Sequence, residues 1–128
     1  MKEGVVLDAS ALLAVLHREP GAEWVEPVLH TAQLSSVNWS EVFQKALARG
    51  VDVRDLRRDL ESLGLEIVPF TAEQGEEAAR LWPLTRSLGL SLGDRACLAL
   101  ARLAGLPALT ADGDWARADV GVEVRLIR

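Results

Sequence analysis

Four acids carry the chemical promise of this chain: Asp8, Glu41, Asp94 and Asp112. Each stands where the hydrophobic pattern turns over. Asp8 follows the aliphatic run Val5-Val6-Leu7, and Glu41 closes Asn38-Trp39-Ser40-Glu41 ahead of an apolar stripe. Asp94 follows Ser91-Leu92-Gly93, and Asp112 follows Ala108-Leu109-Thr110-Ala111. Carboxylates gathered in one place repel one another and are driven to protonate unless a cation neutralises them. An all-oxygen donor set suits Mg²⁺ or Mn²⁺, whereas zinc calls for His and Cys, of which the chain has two and one. In a hydrolase such a site activates water and stabilises charge developing on a phosphate.

Each acid also has a plain structural reading. Glu41 and Asp94 lie three residues after Asn38 and Ser91, the spacing of a capping box. Asp112 and Asp114 flank Gly113, a turn pattern in which Asp is common. Asp8 has the fewest structural duties, being an acid directly after an apolar strand. Ser10 and Thr110 read either as a helix cap and a strand residue or as hydroxyl donors to the acids beside them. His17 and His30 read as helix-end residues. The tryptophans Trp24, Trp39, Trp82 and Trp115 read as core or interface rather than stacking platforms.

The elements that must position these acids follow from periodicity. Val5 to Leu7 is apolar on both faces, as in a central strand of a parallel sheet, and Ser10 is placed to cap a helix over Ala11 to Leu16. His17 to Gly21 breaks that helix, and Ala22 to Thr31 has helical spacing with a kink expected at Pro27. A short strand at Gln33 to Ser35 precedes a helix whose stripe is Val42, Phe43, Ala46 and Leu47. Asp52 is placed to cap the next helix, with Val53, Leu56, Leu60 and Leu63 on one face. Leu65 to Phe70 reads as the third strand. Thr71 and Gln74 open a helix expected to last until Pro83, with a second helical piece over Leu84 to Leu90. Ser91 and Asp94 open a largely apolar helix ending at Gly105, Pro107 to Thr110 is the fourth strand, and Val122, Val124 and Leu126 alternate as a closing strand. Strands alternating with helices predict a three-layer α/β fold with a mostly parallel sheet. Right-handed crossovers then put all strand C-termini on one edge, where ligands bind in open α/β sheets and where the four acids can converge.

With 128 residues, 49% of them hydrophobic, the chain is expected to form one domain over 1–128. It shows no apolar run of membrane-spanning length and no secretory leader, and its lone Cys97 fits a reducing compartment, so a cytoplasmic location is expected. The net charge of −5 argues against a generally basic nucleic-acid clamp. Removing four metal-held acids from the nineteen leaves 15 against 14 bases, a nearly balanced surface. Twelve of those bases are Arg, the side chain suited to bidentate phosphate contact.

With Val-Leu-Asp8-Ala-Ser10, Val-Asn-Trp-Ser-Glu41-Val, Leu-Ser-Leu-Gly-Asp94-Arg95 and Leu-Thr110-Ala-Asp112, the sequence resembles the PIN-domain ribonucleases, most closely the VapC toxins of bacterial toxin–antitoxin pairs. The match spans nearly the whole chain. The resemblance implies an α/β/α fold around a five-stranded parallel sheet of order 3-2-1-4-5, and a Mg²⁺-dependent endoribonuclease in which Mn²⁺ substitutes. It further implies a homodimer neutralised by a small VapB-like antitoxin whose C-terminal segment occupies the active-site groove. By position it makes Asp8, Glu41, Asp94 and Asp112 the metal-binding acids, with Asp114 reaching the metal through water and Ser10 and Thr110 in support. Arg95 is expected to face either an RNA phosphate or a neighbouring acid.

Three other readings compete. Phosphoacceptor folds such as receiver domains and haloacid-dehalogenase-type phosphatases also place an Asp after the first strand. They need a late lysine, whereas the only lysines here are Lys2 and Lys45, and the phosphatases need an Asp where this chain has Ser10. A PIN-like fold retained as a non-catalytic binding module would be expected to have lost at least one acid. A PIN nuclease acting in RNA processing outside a toxin–antitoxin pair is the remaining alternative.

Overall fold

The computed structural model describes residues 3–128. Five strands, β1 (Val5–Leu7), β2 (Ala32–Ser35), β3 (Glu66–Val68), β4 (Ala108–Thr110) and β5 (Val124–Leu126), form one sheet in the order β3-β2-β1-β4-β5. Every neighbouring pair is parallel. Six helices surround it: α1 (Ala9–His17), α2 (Ala22–Val25), α3 (Ser36–Ala48), α4 (Leu56–Ser62), α5 (Ala72–Thr85) and α6 (Leu92–Ala104). None of them is long and apolar enough to cross a membrane.

The uniform hydrophobicity of β1 has a direct cause in the layering. Val5 and Leu7 enter the core shared with α1, Val25 of α2, Val42 of α3 and Leu60 of α4. Val6 points the other way, into the core formed with Ala78 and Leu81 of α5, the inner face of α6 and Trp115. A strand covered on both faces cannot alternate apolar with polar residues, and this one is buried throughout. The result is the three-layer α/β/α sandwich with the predicted strand order, and β1 at its centre.

Several boundaries differ from the sequence expectation. α1 begins at Ala9, with Asp8 rather than Ser10 in the N-cap position; the Ser10 oxygen, which a cap would offer to its own helix, accepts instead from the Ala111 amide beyond β4. α3 begins at Ser36, well ahead of Val42. Ser35 caps it by accepting from the Val37 amide, and Ser36 accepts from the Phe70 amide, tying the helix start to the exit of β3. The Ala22–Thr31 segment splits into α2 and a 3₁₀ stretch, Glu26–Thr31, with Pro27 in its first turn, where a missing N–H costs nothing. Asp52 accepts from the Arg54 amide in a turn before α4, which starts only at Leu56. α5 runs through Pro83 to Thr85; Pro83 and Ala79, whose carbonyl loses its partner, are both exposed, so water can satisfy that carbonyl. A 3₁₀ turn, Arg86–Leu88, follows in place of the longer helical piece.

Candidate active site

β1, β2 and β4 lie side by side and end on the same edge of the sheet, and the chain leaving each of them meets the start of a helix or turn. Asp8 sits at the end of β1 with only 6% of its surface exposed. Its Oδ2 accepts two hydrogen bonds, from the Ser10 hydroxyl at 2.7 Å and from the Thr110 hydroxyl at 2.9 Å. Each of those hydroxyls in turn accepts a backbone N–H, Ser10 from Ala111 at 2.9 Å and Thr110 from Asp112 at 3.1 Å. The backbone donors leave each hydroxyl proton free to point at Asp8. The carboxylate is thus held by Ser10 and by the last residue of β4, and the loop that follows β4, a hundred residues away in sequence, fixes both hydroxyls.

Burial pushes the Asp8 carboxyl up to about 6 from an ordinary value of 3.8; the two hydroxyl bonds work against that rise, and the charges of Asp94 and Glu41 add to it. That mutual field brings Asp8, Glu41 and Asp94 into one neighbourhood. The same three acids act on Cys97, one turn beyond Asp94 on α6; its thiol is pushed up by burial first and then by their charges, so it remains a neutral apolar filler. Among the described residues none of Asp8, Glu41, Asp94 or Asp112 has a cationic side-chain partner.

Glu41 lies within the second turn of α3, and Asn38 Nδ2 donates to its Oε1 at 2.8 Å. The contact expected from their spacing is present, yet it is an intrahelical side-chain pair rather than a capping box. Asp94 does form the predicted capping box: its Oδ2 accepts from the Ser91 amide at 2.9 Å and its own amide donates to Ser91 Oγ at 3.1 Å. One carboxylate oxygen of Asp94 is committed to the cap and the other is not. Structural and chemical readings of this residue are therefore compatible.

Asp112 is adjacent to this group through its backbone, but its side chain accepts from the Asp114 amide at 2.9 Å and caps the 3₁₀ turn Gly113–Arg117. Asp114 stands apart, exposed and paired with Arg117 at 2.6 Å. Among the described residues Arg95 pairs with no neighbouring acid. Its Nη1 donates to the Ala78 carbonyl of α5 at 2.9 Å, so it braces α5 against α6. Trp115 is fully buried in the core and Trp24 is two-thirds exposed. Sequence reasoning passed over Asn38 as anything but a cap, and passed over Gly93, although both touch Glu41.

The donor set is all carboxylate oxygen with hydroxyls behind it, which in kind fits a hard divalent cation such as Mg²⁺ and not zinc. As oriented, no three His, Cys, Asp or Glu side chains of the described residues are drawn together into a ready-made cage. Like charges standing apart until a cation draws them in is the arrangement repulsion favours. The acid cluster is also distinct from the apolar groove of about 450 Å³ bordered by Trp24, Val28 and Leu126, which contains no acid.

Comparison with known proteins agrees with this fold. The fold superposes on the VapBC toxin–antitoxin protein of Salmonella typhimurium, solved bound to DNA, with a TM-score of 0.77 at 15% identity, covering 99% of this chain and 100% of that one. A toxin–antitoxin complex chain from Klebsiella pneumoniae gives 0.73 at 20% identity with 98% of each chain covered. A sarcin-ricin-loop-cleaving VapC toxin of Mycobacterium tuberculosis gives 0.71 at 19% identity, over 94% of this chain and 99% of that one. At these identities the likeness is one of fold. No curated protein matches the chain significantly by sequence. The PIN domain family model, however, matches residues 5–121, a span that contains all four acids, and the chain belongs to the PIN-domain family.

Proposed function

We propose that the protein is a metal-dependent endoribonuclease, the VapC-like toxin of a VapBC-type pair, with Mg²⁺ as its ion and Mn²⁺ as a substitute. The observation that carries this reading is Asp8: a buried carboxylate at the centre of a PIN-domain sheet, in the field of two further acids and with no cation among the described residues to balance them. In this reading Asp8, Glu41, Asp94 and Asp112 hold the ion, and Asp114 approaches it through water. When bound, the ion supplies an acidified water and positive charge against the phosphate of an RNA phosphodiester. Ser10 and Thr110 keep Asp8 Oδ2 occupied and leave its Oδ1 without a hydrogen-bond donor among the described residues. Ser91 does the same for one oxygen of Asp94. Cleavage in line with the leaving 3′ oxygen gives 5′-phosphate and 3′-hydroxyl ends. Likeness of fold to toxin–antitoxin proteins supports a VapB-like antitoxin as partner, and a homodimer is proposed on family resemblance.

The test uses a total bacterial RNA pool, because the target is unspecified. Purified protein with Mg²⁺ or Mn²⁺ is expected to generate discrete new 5′ ends that disappear with EDTA and in Asp94→Asn. No new ends with either metal, together with no rise in melting temperature on adding Mn²⁺, overturns the proposal in favour of a non-catalytic PIN-like binding module.

A further inference from the structure

We propose that Asn38 and Gly93 are positioning residues that set the Glu41 carboxylate against the first turn of α6. Asn38 is fully buried. Its Nδ2 reaches two acceptors on two elements, Glu41 Oε1 at 2.8 Å on its own helix and the Gly93 carbonyl at 3.0 Å on α6. Both partners are acceptors, so only the NH₂ end of the amide can face them, and the side-chain orientation follows. The cost is visible at the other end: Asn38 Oδ1 is buried without a hydrogen-bond partner among the described residues. A buried acceptor left unpaired opposes folding. An apolar side chain of the same size would fill the space without that cost, so the amide answers to what Nδ2 holds.

Gly93 completes the arrangement from the opposite side. A Cβ at this position would lie 2.7 Å from each carboxylate oxygen of Glu41 and 2.8 Å from its carboxylate carbon. The carboxylate therefore rests where a side chain on residue 93 would be. Asp94 is the next residue and Asp8 feels the charge of both acids, so a clamp that joins α3 to α6 also fixes the spacing of the acid group. An ion held by these acids would lose affinity if Glu41 were released, since side chains orienting a metal ligand are typically worth 10–100-fold in affinity. The inference about ion affinity rests on the acids being metal ligands; the placement of Glu41 does not.

Asn38 is the sole asparagine of the chain, so a protein labelled with ¹⁵N-asparagine gives one side-chain amide signal, assigned without ambiguity. In metal-free protein that signal is expected to be slow to exchange, and to shift and lose protection in Glu41→Ala. The second measurement is Mn²⁺ affinity by electron paramagnetic resonance. Asn38→Leu, which keeps the branched shape and heavy-atom count and removes the orphaned acceptor, is expected to fold and to bind Mn²⁺ roughly tenfold more weakly. The same change in a Glu41→Ala background is expected to cost nothing further. Gly93→Ala, which displaces only the flexible end of Glu41, is expected to keep the melting temperature and weaken Mn²⁺ as Asn38→Leu does. An Asn38 signal indifferent to Glu41→Ala, or equal losses of affinity in both backgrounds, overturns the proposal. Wild-type protein that takes up no Mn²⁺ overturns the metal reading instead, while the amide signal still decides the placement of Glu41.

Discussion

Asp8 and Asp114 are both aspartates beyond the ends of adjacent central strands, and they have opposite electrostatic fates. Asp8 is 6% exposed, faces two other acids and has a carboxyl raised to about 6. Asp114 is more than half exposed and already balanced by Arg117 at 2.6 Å. The difference teaches how to tell an acid that completes a structure from one that awaits a ligand. A carboxylate on a turn can find water or a neighbouring base; one at the end of a doubly covered strand can find neither, and keeps its charge only at a cost to folding. Glu41, Asp94 and Asp112 fall between, each oriented by a local hydrogen bond but without a counter-charge among the described residues.

The largest effect is expected at Asp8, and it has two opposite signs. Asp8→Asn removes a proposed ligand at the centre of the site. Metal chemistry contributes several kcal/mol to a barrier, so RNA cleavage is expected to fall by roughly a thousandfold or more. Stability is expected to rise. Between pH 3.8 and about 6 the folded protein retains a proton that the unfolded chain has released. The contribution of Asp8 to wild-type stability is therefore greatest below that window and declines as pH rises through it, by an amount on the order of 3 kcal/mol. The asparagine variant has no such decline, and its amide can keep an oxygen toward Ser10 and Thr110. Thermal melts in EDTA check this: the variant should exceed wild type by several degrees at pH 7 and match it near pH 3.5. A variant less stable at pH 7 would show that the Asp8 charge is compensated after all.

Thr110→Val sharpens the same comparison with a smaller effect. The Thr110 side chain is fully buried and its hydroxyl donates to Asp8 while accepting from the Asp112 amide. Losing it leaves the buried Asp8 and the partly buried Asp112 amide each short of a bond, about 1–3 kcal/mol. Because the donor favours the ionised carboxylate, the loss measured by denaturant unfolding should be greater at pH 7 than at pH 4. An equal loss at both would assign Thr110 to packing alone.

How much of this was legible in the sequence depends on the range of the deciding contact. The central place of Val5-Val6-Leu7 and the Ser91–Asp94 capping box follow from local pattern, the strand order follows from the family resemblance, and the structure has all three. The acids could be named because each sits at a change of pattern. What local pattern cannot carry is where a side chain is drawn by a distant element. Ser10 looks like a cap, yet its oxygen is taken by the Ala111 amide a hundred residues away and its proton by Asp8. Asn38 and Glu41 have a spacing shared by a capping box and by an intrahelical pair, and only the docking of Ser36 near β3 sets the helix start that decides between them. Sequence leaves Arg95 open between an RNA phosphate and a neighbouring acid, whereas packing of α5 on α6 turns its Nη1 to a carbonyl seventeen residues away.

The smallest effect is expected at Asp114, and it is the most exacting test of the distinction. Its ion pair with Arg117 is exposed at both ends, so Asp114→Asn should change stability by about 0–1 kcal/mol, less at high salt. If Asp114 approaches the ion only through water, cleavage should drop within roughly an order of magnitude, far from the loss at Asp8. Arg117→Ala separates the remaining alternatives, because it frees the Asp114 carboxylate without altering it. Should Arg117 merely neutralise Asp114, its removal leaves Mn²⁺ affinity unchanged or slightly raised. A loss at Asp114→Asn as deep as that at Asp8→Asn, with a clear gain of affinity in Arg117→Ala, would mean the ion pair opens when metal arrives. The exposed acid would then belong to the site by exchange of partners, and present pairing would cease to mark an acid as structural.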